Sequence, residues 1–431
     1  MTEPHAAVRI RQARLIDPAT GTDQVTDLYL SQGRVEAWGA EPNGLRAQTT
    51  IEAAGLVAAP GWVDLAARLY GFGAEHQDSV AREATAALHG GVTSLCCPPD
   101  TAVVLDTPAA VQLVAARAAD SGFPRVFAIG ALTQKLAGEL LAEMGALADS
   151  GCVALGNARR PFSNLRVLRH CLQYASALGL PVILEMEDAA LAAGGVAHEG
   201  PVATQLGLAE IPSSAETAAI AATLELVRAG GPAVHFGRIS AARSVALIAA
   251  AQADGLPVSA DVAAHQLIWT HAELRHYDGA FHTRPPLRGE ADRQALLTGV
   301  LDGTIGMLCS DHQPHEPEAK MAPFAATAPG ISAFETLLPL ALAAAGEAGI
   351  SLSQLVSRLS TAPARLLGIE GGTLAPGSRA DLVLFDPEER WTLTAAEMCS
   401  AGHNNPLLGR TLKGRVRYTL LGGSIAYAAG R

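Results

Sequence analysis

Short runs of alternating apolar and polar residues mark both ends of the chain. AVRIRQARLID, DLYLSQG and RVEAWGA have this two-residue period within residues 7–40, and turn residues such as DPATG separate them. A two-residue period is typical of strands with one buried face, so this region predicts a small antiparallel sheet. The strand-like runs ADLVLFDP, GRVRYTLLGG and SIAYAAG repeat the pattern near the C-terminus.

The middle of the chain alternates apolar runs with Ala- and Leu-rich stretches of helical spacing. The predicted strands lie at 56–66, 92–98, 125–131, 152–156, 181–187, 232–240, 257–262 and 304–311. Helical stretches that end near glycine, the residue expected just after a helix, lie at 80–91, 107–122, 164–179, 214–231 and 244–255. Eight βα units in this order predict an α/β fold, a (β/α)8 barrel of the TIM type. A doubly wound open sheet shares the local pattern and stays open as an alternative.

The two terminal segments are expected to meet in a small β-sandwich beside the barrel. We place the N-terminal part of this sandwich at residues 1–58, the barrel at 59–371 and the C-terminal part at 372–431. A chain of 431 residues is long enough to hold a barrel and a smaller unit, each with its own core.

Composition narrows the choice of partners and compartment. The formal net charge is −11 and no block of basic residues is present, which argues against nucleic acid and anionic membranes as partners. The six cysteines form no C-x-x-C pair and lie in apolar or small-residue contexts, as expected of reduced thiols. No signal-peptide pattern or membrane-span pattern is found in the sequence, so we expect a cytoplasmic protein.

Several strings, spread in order over most of the chain, carry a family resemblance. They are APGWVDL (59–65), GGVTS (90–94), DTP (106–108), YASALGLPV (174–182), IPSSAET (211–217), RPPLRGEADRQAL (284–296), SDHQPHEPEAK (310–320), APGISAFET (328–336), RADLVLFDP (379–387) and NPLLGRTLKGRV (405–416). In order and spacing the chain resembles the bacterial dihydroorotases of the amidohydrolase superfamily. The resemblance implies common fold and ancestry, and activity has to be judged from the site.

The resemblance implies a barrel enzyme in which zinc activates a water that attacks a cyclic amide carbonyl, with an aspartate after the last strand moving the proton. In that family His-x-His-x-Arg follows the first strand, with both histidines on the metal and the arginine on the substrate carboxylate. The matching residues here are Ala66, Arg68 and Tyr70. Ala66 has no lone pair, and the guanidinium of Arg68 cannot be deprotonated to bind a metal.

The other matching positions are altered as well. The family's substrate-binding asparagine falls on Asp100, whose charge would repel the carboxylate of dihydroorotate, and two further metal histidines fall on Glu185 and Arg238. The family's bridging region matches residues 156–159, which contain neither a carboxylate nor a lysine. Asp311 stands at the position of the catalytic aspartate and is interpreted as vestigial. We therefore predict a protein without metal or other cofactor.

The new charges at the old metal positions suggest an electrostatic replacement. Arg68 and Arg238 would bring positive charge to the place that the family gives to a dication. We expect both guanidinium groups to pair with Glu185 and Asp311 at the mouth of the barrel.

The remaining histidines and cysteines do not predict a replacement centre. His312 and His315 are interpreted as residues that shape the loop after the last strand, and His235 as a buried imidazole with hydrogen-bond partners. Cys96 and Cys97 end a predicted strand, and no histidine is placed by sequence to activate them, so both are interpreted as buried structural thiols.

Family members that keep the barrel but lose the metal histidines are called pseudo-dihydroorotases, and this chain is similar to them. The resemblance implies a non-enzymatic subunit that associates with the catalytic subunit of aspartate carbamoyltransferase in a hetero-oligomer, with a 6:6 assembly, in pyrimidine biosynthesis. Two alternatives stay open. One is an active cyclic amide hydrolase with an atypical or metal-free site around Asp311 and Glu185, and the other is a small-molecule sensor that uses the old pocket.

Overall fold

The computed structural model describes residues 7–69, 77–118 and 124–430. The N-terminal segment forms five strands: β1 (Val8–Asp17), β2 (Thr22–Ser31), β3 (Arg34–Trp38), β4 (Thr49–Glu52) and β5 (Val57–Pro60). Strands β1 to β3 form the predicted antiparallel meander, whereas β4 and β5 pair with β1 in parallel. A bulge at Gln12, whose φ is 57°, inserts one residue so that Ala13 continues the buried face of Ile10.

The middle of the chain forms the predicted barrel. Its strands, together with the two short strands β11 and β12 that pair apart from it, are β6 (Trp62–Asp64), β7 (Val92–Cys97), β8 (Arg125–Ala131), β9 (Ala154–Gly156), β10 (Val182–Leu184), β11 (Ala197–His198), β12 (Glu210–Ile211), β13 (Val234–Phe236), β14 (Val258–Ala263) and β15 (Met307–Cys309). Eight of them pair in parallel with their sequence neighbours, from β6 to β15. An isolated bridge between Ala67 and His312 joins the two ends, and the N–H of Arg68 donates to the carbonyl of His312 at 2.9 Å. The predicted α/β barrel is confirmed.

Helices connect these strands, as the alternating pattern predicts. In chain order they are α1 (Gln77–His89), α2 (Pro108–Ala118), α3 (Met144–Asp149), α4 (Leu165–Leu178), α5 (Pro201–Leu206), α6 (Ser214–Arg228), α7 (Ala242–Ala253), α8 (Glu290–Asp302), α9 (Leu337–Ala348), α10 (Leu352–Val356) and α11 (Ala362–Leu367). Helix α4 shows why the boundaries could be predicted. The side chain of Asn164 accepts from the N–H groups of Arg166 and Val167, and Gly179 ends the helix in the left-handed conformation. No helix among the described residues is long and apolar enough to cross a lipid bilayer.

The C-terminal strands β16 (Leu382–Thr392), β17 (Thr411–Leu421) and β18 (Ser424–Ala428) join the N-terminal strands. Strand β16 pairs antiparallel with β5, so the terminal segments form one continuous mixed sheet rather than two separate hydrogen-bonded layers. Its apolar side chains form a core of their own, distinct from the larger core around the barrel. The fold therefore consists of a barrel and a separate terminal sheet.

Gly61 lies where the chain passes from the sheet to the barrel. Strand β5 belongs to the terminal sheet and β6 to the barrel, with Gly61 between them. A β-carbon on Gly61 would lie 2.2 Å from the side chain of Thr93, so a larger residue would force the first two barrel strands apart.

A buried carboxylate joins the two units. Asp381, just before β16, accepts hydrogen bonds from Nε and Nη2 of Arg125 on β8 at 2.6 and 3.1 Å. Its Oδ1 also accepts from the N–H of Gly422, between β17 and β18, at 2.7 Å. The side chain of Asp381 is 6% exposed, so one carboxylate ties a barrel strand to a turn of the sheet where water competes little.

Replacing Asp381 by alanine should lower the free energy of unfolding by about 2–3 kcal/mol, because a charge-assisted pair and a backbone hydrogen bond are lost together. Urea denaturation measures the change. The matched control is Asp23→Ala, which removes an equally bidentate but exposed partner of Arg14 and should cost about 1 kcal/mol or less. Equal losses in the two variants would contradict the proposed role of Asp381.

Candidate functional site

The sequence-predicted site residues lie beyond the carboxyl ends of the barrel strands, where barrel enzymes place their active sites. Ala66 and Arg68 follow β6, Asp100 follows β7 and Glu185 follows β10. Arg238 and Asp311 follow β13 and β15, each as the second residue after the strand. Tyr70 lies outside the described residues.

The guanidinium of Arg238 lies between the two carboxylates of the site. Its Nη1 contacts Oδ1 of Asp311 and its Nη2 contacts Oε1 of Glu185. The three side chains are 5%, 2% and 8% exposed, respectively. The expected pairing of Arg238 with both carboxylates is therefore present.

A second arginine completes the cluster. Nη2 of Arg159, after β9, lies 3.3 Å from Oε2 of Glu185, and its Nη1 donates to the carbonyl of Arg284. Two guanidinium groups and two carboxylates thus meet at the barrel mouth with balanced charge. The sequence interpretation of residues 156–159 looked for a metal-bridging group and missed Arg159 as an ion-pair partner. Its position directly after a barrel strand, in the string NARR, was the available signal.

The charges in this cluster shift one another's protonation. Burial has the largest single effect on the pKa of Asp311 and by itself would raise it. The nearby positive charges, Arg238 first among them, and the hydrogen bond from Arg238 together outweigh burial, so the pKa is lowered. Burial and the neighbouring charge of Arg238 lower the pKa of Arg159 to about 9, which still leaves its guanidinium charged at neutral pH. The carboxylate of Asp311 is therefore held ionised, with Gln313 Nε2 as a further donor to Oδ1 at 2.9 Å.

Arg68 has a different partner from the one expected. It was expected to pair with Glu185 and Asp311, but its Nη1 contacts Oδ1 of Asp100. Two features explain the difference: Arg238 already engages both carboxylates, and β7 adjoins β6. Strands β6 and β7 are neighbours, so the loops that follow them bring these two side chains together on one side of the mouth. Asp100 lies beside a cation, and its charge is compensated within the site.

Three backbone positions at the mouth share an uncommon conformation. Ala158, Arg238 and Asp311 have φ values of 48°, 54° and 50°, and each is the second residue after β9, β13 or β15. Residues with a β-carbon rarely adopt this left-handed region, and each costs about 1–3 kcal/mol when it does. For Arg238 the cost is offset in part by Asp261, whose Oδ1 accepts its N–H at 2.7 Å.

The other singled-out histidines have structural partners. Nε2 of His235 lies 2.8 Å from Asp261 and its Nδ1 lies 2.8 Å from the hydroxyl of Ser259. His312 contacts Glu83 through Nε2 at 2.7 Å, and its Nδ1 accepts from backbone N–H groups after the loop. His315 contacts the carbonyl of Pro329 through Nε2 at 2.9 Å. These contacts confirm the interpretation of all three as structural residues.

The buried cysteines are poor nucleophiles. Cys96 and Cys97 are fully buried on β7. Burial raises the pKa of Cys97 to about 12 and raises that of Cys96 even more, so neither forms a thiolate at neutral pH.

Two of the strings that carry the resemblance meet at the N-terminus of α7. Oε1 of Glu216, from IPSSAET, accepts from the N–H groups of Ser240 and Ala241 at 3.0 Å and from the hydroxyl of Ser244. Arg288, from RPPLRGEADRQAL, donates through Nε to the hydroxyl of Ser240 at 3.0 Å. Glu216 therefore holds the two residues that lead into α7, and the first N–H of the helix, that of Ala242, donates to Oδ1 of Asp292 at 2.8 Å. These motif residues stabilise the loop that presents Arg238.

The side chains at the mouth do not fit the zinc site that the resemblance implies. Within the described ranges no group of three or more His, Cys, Asp and Glu side chains is arranged to hold a metal ion. A guanidinium has no lone pair to donate and carries a charge of the same sign as a metal cation. The cavity beside Ala66, Glu185 and Arg238 has a volume of about 20 Å³, room for about one water molecule.

Comparison with known proteins gives a consistent picture. Residues 55–244 match a family model described as Dihydro-orotase-like, and residues 308–427 match one described as Amidohydrolase family. A Pseudomonas aeruginosa protein named Dihydroorotase-like protein is 49% identical over 420 residues, which cover 97% of this chain and 99% of that protein. A Geobacter sp. (strain M21) protein named Dihydroorotase is 38% identical over 424 residues, 98% of this chain and 99% of that protein.

A solved structure shares the fold. The L-hydantoinase (dihydropyrimidinase) from Arthrobacter aurescens superimposes with a TM-score of 0.85 over 98% of this chain and 96% of that chain. The sequence identity of the pair is 23%, so this likeness speaks for the fold alone.

Replacing Arg238 by methionine should destabilise the protein by about 3–5 kcal/mol, because Glu185 and Asp311 would both lose a buried charged partner. Urea denaturation at neutral pH checks this. The matched control is Arg11→Met, which removes the partner of Glu52 in an exposed pair and should cost about 1 kcal/mol or less. An unchanged unfolding midpoint for Arg238→Met would contradict the ion-pair cluster.

His265, next to this cluster, should make stability depend on pH. Its side chain is 1% exposed, neither ring nitrogen has a hydrogen-bond partner, and burial lowers its pKa to about 4. The unfolded imidazole has a pKa of about 6.5. Between these values the unfolded state binds more protons, so the His265 contribution is full above pH 6.5 and is lost as pH falls towards 4.

His265→Met should therefore reduce the slope of unfolding free energy against pH by up to about 1.4 kcal/mol per pH unit between pH 6.5 and 4. Denaturation curves at a series of pH values measure the slope. Gln266→Met is the control because it replaces a buried neighbour that does not titrate. A slope identical to that of the wild type in His265→Met would show that the buried imidazole titrates normally.

Proposed function

The chain belongs to the dihydroorotase-like family of amidohydrolases, and from this premise we propose that it is a non-catalytic member that serves as an assembly subunit for aspartate carbamoyltransferase. The observation that carries the proposal is the position of Arg238 between Glu185 and Asp311. A guanidinium occupies the point at which the family resemblance implies zinc.

The state of Asp311 also argues against the family chemistry. A general base works best when its pKa lies near the working pH. The pairing with Arg238 lowers the pKa of Asp311 instead, and Oδ1 is already engaged by Arg238 and Gln313. A carboxylate held in this way is a weak proton acceptor.

The space at the mouth supports the same proposal. Pockets for small organic ligands usually measure about 300–1,000 Å³. The mouth cavity beside Ala66 and Arg238 measures about 20 Å³ and is too small for a six-membered ring substrate. Admitting dihydroorotate would require the buried ion pairs to separate.

The proposed assembly role follows from what the fold retains. In the part of the chain that the structure describes, the barrel and the terminal sheet each keep an apolar core, although ion pairs fill the site that catalysis would use. A fold that is kept while its catalytic site is blocked suits a protein that acts by binding a partner through its surface. The partner and the 6:6 ratio come from the resemblance to pseudo-dihydroorotases, and the interface should bury more than about 1,000 Å² in total.

One observation favours a second candidate. Relatives that are 38% identical over almost the whole chain are named Dihydroorotase. The competing function is cyclic amide hydrolysis at an atypical site around Asp311 and Glu185. It requires turnover by the purified chain, so it can be separated from the assembly role experimentally.

The test is co-expression with the aspartate carbamoyltransferase catalytic chain of the same organism. We expect a complex of high mass by size-exclusion chromatography with light scattering, and transferase activity that depends on this chain. A subunit that binds the native state of its partner stabilises it by mass action, so the transferase alone should be unstable or inactive. The complex and the isolated chain should not interconvert carbamoyl aspartate and dihydroorotate.

Two results would overturn this proposal. A transferase that is equally active and of equal mass without the chain would remove the assembly role. Dihydroorotate turnover that disappears in the Asp311→Asn variant would establish the hydrolase instead. Elemental analysis of the same samples shows whether any such turnover follows bound metal.

A further inference from the structure

A groove opens beside the barrel mouth and shares Ala158 and Glu185 with the site described above. It lies between α4 and α6, with a volume of about 470 Å³. Its floor is formed by Leu168, Leu184 and Thr223, and its walls include Leu165 on α4 and alanines of α6. We refer to it as the α4–α6 groove.

The walls of the groove expose apolar surface. Leu165, the first residue of α4, is 53% exposed, and Leu191, in the loop that supplies one wall, is 45% exposed. Large apolar side chains at the rim of a concave apolar surface mark a site of interaction, because their exposure is unfavourable in water. The small alanines of α6 leave room for a side chain to enter from outside.

Basic residues lie in and beside the groove, although the chain as a whole carries a charge of −11. Arg160 lines the groove, and Arg166 and Arg169 lie on α4, which forms one of its walls. No acidic residue occurs in residues 150–184, which contain four arginines. Arg160, Arg166 and Arg169 are exposed, and none of them has an ion-pair partner in the part of the chain that the structure describes. Arg169 lies one helical turn after Leu165 and therefore beside it.

The acidic residues that line the groove are already engaged. Glu185 pairs with Arg238 and Arg159, and Glu187 pairs with Arg284 at 2.6 Å. The carboxylate of Asp188 accepts from the N–H groups of Ala190 and Leu191 at 3.0 and 2.9 Å. Asp188 keeps its negative charge, since backbone N–H groups do not neutralise it, but Arg160, Arg166 and Arg169 outnumber this one unpaired carboxylate, so the net charge around the groove is positive.

Further apolar side chains are exposed on the same end of the barrel as the groove. Six of the eight large apolar side chains that are exposed among the described residues lie on segments that follow the carboxyl ends of barrel strands: Val103, Leu140, Leu165, Leu191, Tyr277 and Met321. A barrel face of this kind suits contact with a protein surface, since the groove alone is smaller than a stable interface requires.

We propose that the α4–α6 groove docks an acidic, apolar segment of the partner subunit, with its apolar side chains between α4 and α6 and its carboxylates on Arg160, Arg166 and Arg169. The identity of that partner as aspartate carbamoyltransferase rests on the proposed function. The recognition chemistry rests on the groove itself.

The experiment measures the affinity of purified full-length variants for the transferase catalytic subunit by isothermal titration calorimetry. Leu165→Glu should weaken binding by about tenfold or more, since a charge replaces an apolar anchor. The first turn of a helix accepts Glu, so the fold should be retained, and the thermal midpoint checks this. Leu301→Glu is the matched control, because Leu301 is 49% exposed near the C-terminus of α8, at the opposite end of the barrel.

A second variant tests the charges. Arg166→Glu with Arg169→Glu should weaken binding by about tenfold and should make the remaining affinity less sensitive to salt, because screening acts on the exposed pairs that it removes. Both arginines are exposed, so the substitutions leave the core untouched.

The outcomes separate this inference from the proposed function. If the wild-type chain does not bind the transferase, the proposed function fails and the inference fails with it. If the wild-type chain binds and Leu165→Glu and the arginine variant bind equally well, only the groove is wrong. A change in self-association of the isolated chain, with transferase binding intact, would assign the groove to a second copy and would equally overturn the proposal.

Discussion

The barrel mouth depends on one buried guanidinium. Arg238 is the cation that makes the burial of Glu185 and Asp311 tolerable, and its loop is fixed from outside by Glu216 and Asp261. Two carboxylates this deep would otherwise repel each other and draw in either protons or a metal. A side chain thus supplies from within the chain the charge that the family resemblance assigns to a bound ion.

Much of the fold could be predicted from the sequence, because strand and helix periods and the glycines after helices are local properties. The partner of Arg238 could be predicted from the resemblance, which places Glu185, Arg238 and Asp311 around one point. The partner of Arg68 could not, since it depends on which loop lies beside the end of β6. Arg159 was missed for a related reason, because its role depends on the distance to Glu185 across the mouth.

The same limit applies to the α4–α6 groove and to the terminal sheet. The apolar residues Leu165 and Leu168 of α4 can be recognised in the sequence. That they line an open groove depends on the spacing of α4 and α6, which the sequence pattern does not give. The pairing of β16 with β5 brings together residues that are more than 300 positions apart in the sequence. No local pattern specifies such a pairing. The packing of the folded chain decides which distant segments lie side by side. The sequence pattern shows only whether a residue is apolar, polar or charged.

The left-handed backbone at Ala158, Arg238 and Asp311 has a consequence for redesign of the barrel mouth. Each of these three residues has a left-handed backbone conformation at the second position after a barrel strand. The ion pairs do not explain this conformation at Ala158, whose side chain carries no charge. At Ala158 the left-handed conformation is therefore set by the course of the loop and not by a charged partner. A redesign that changes only the charged side chains of the mouth would keep this conformational cost, whereas glycine at these positions would remove it.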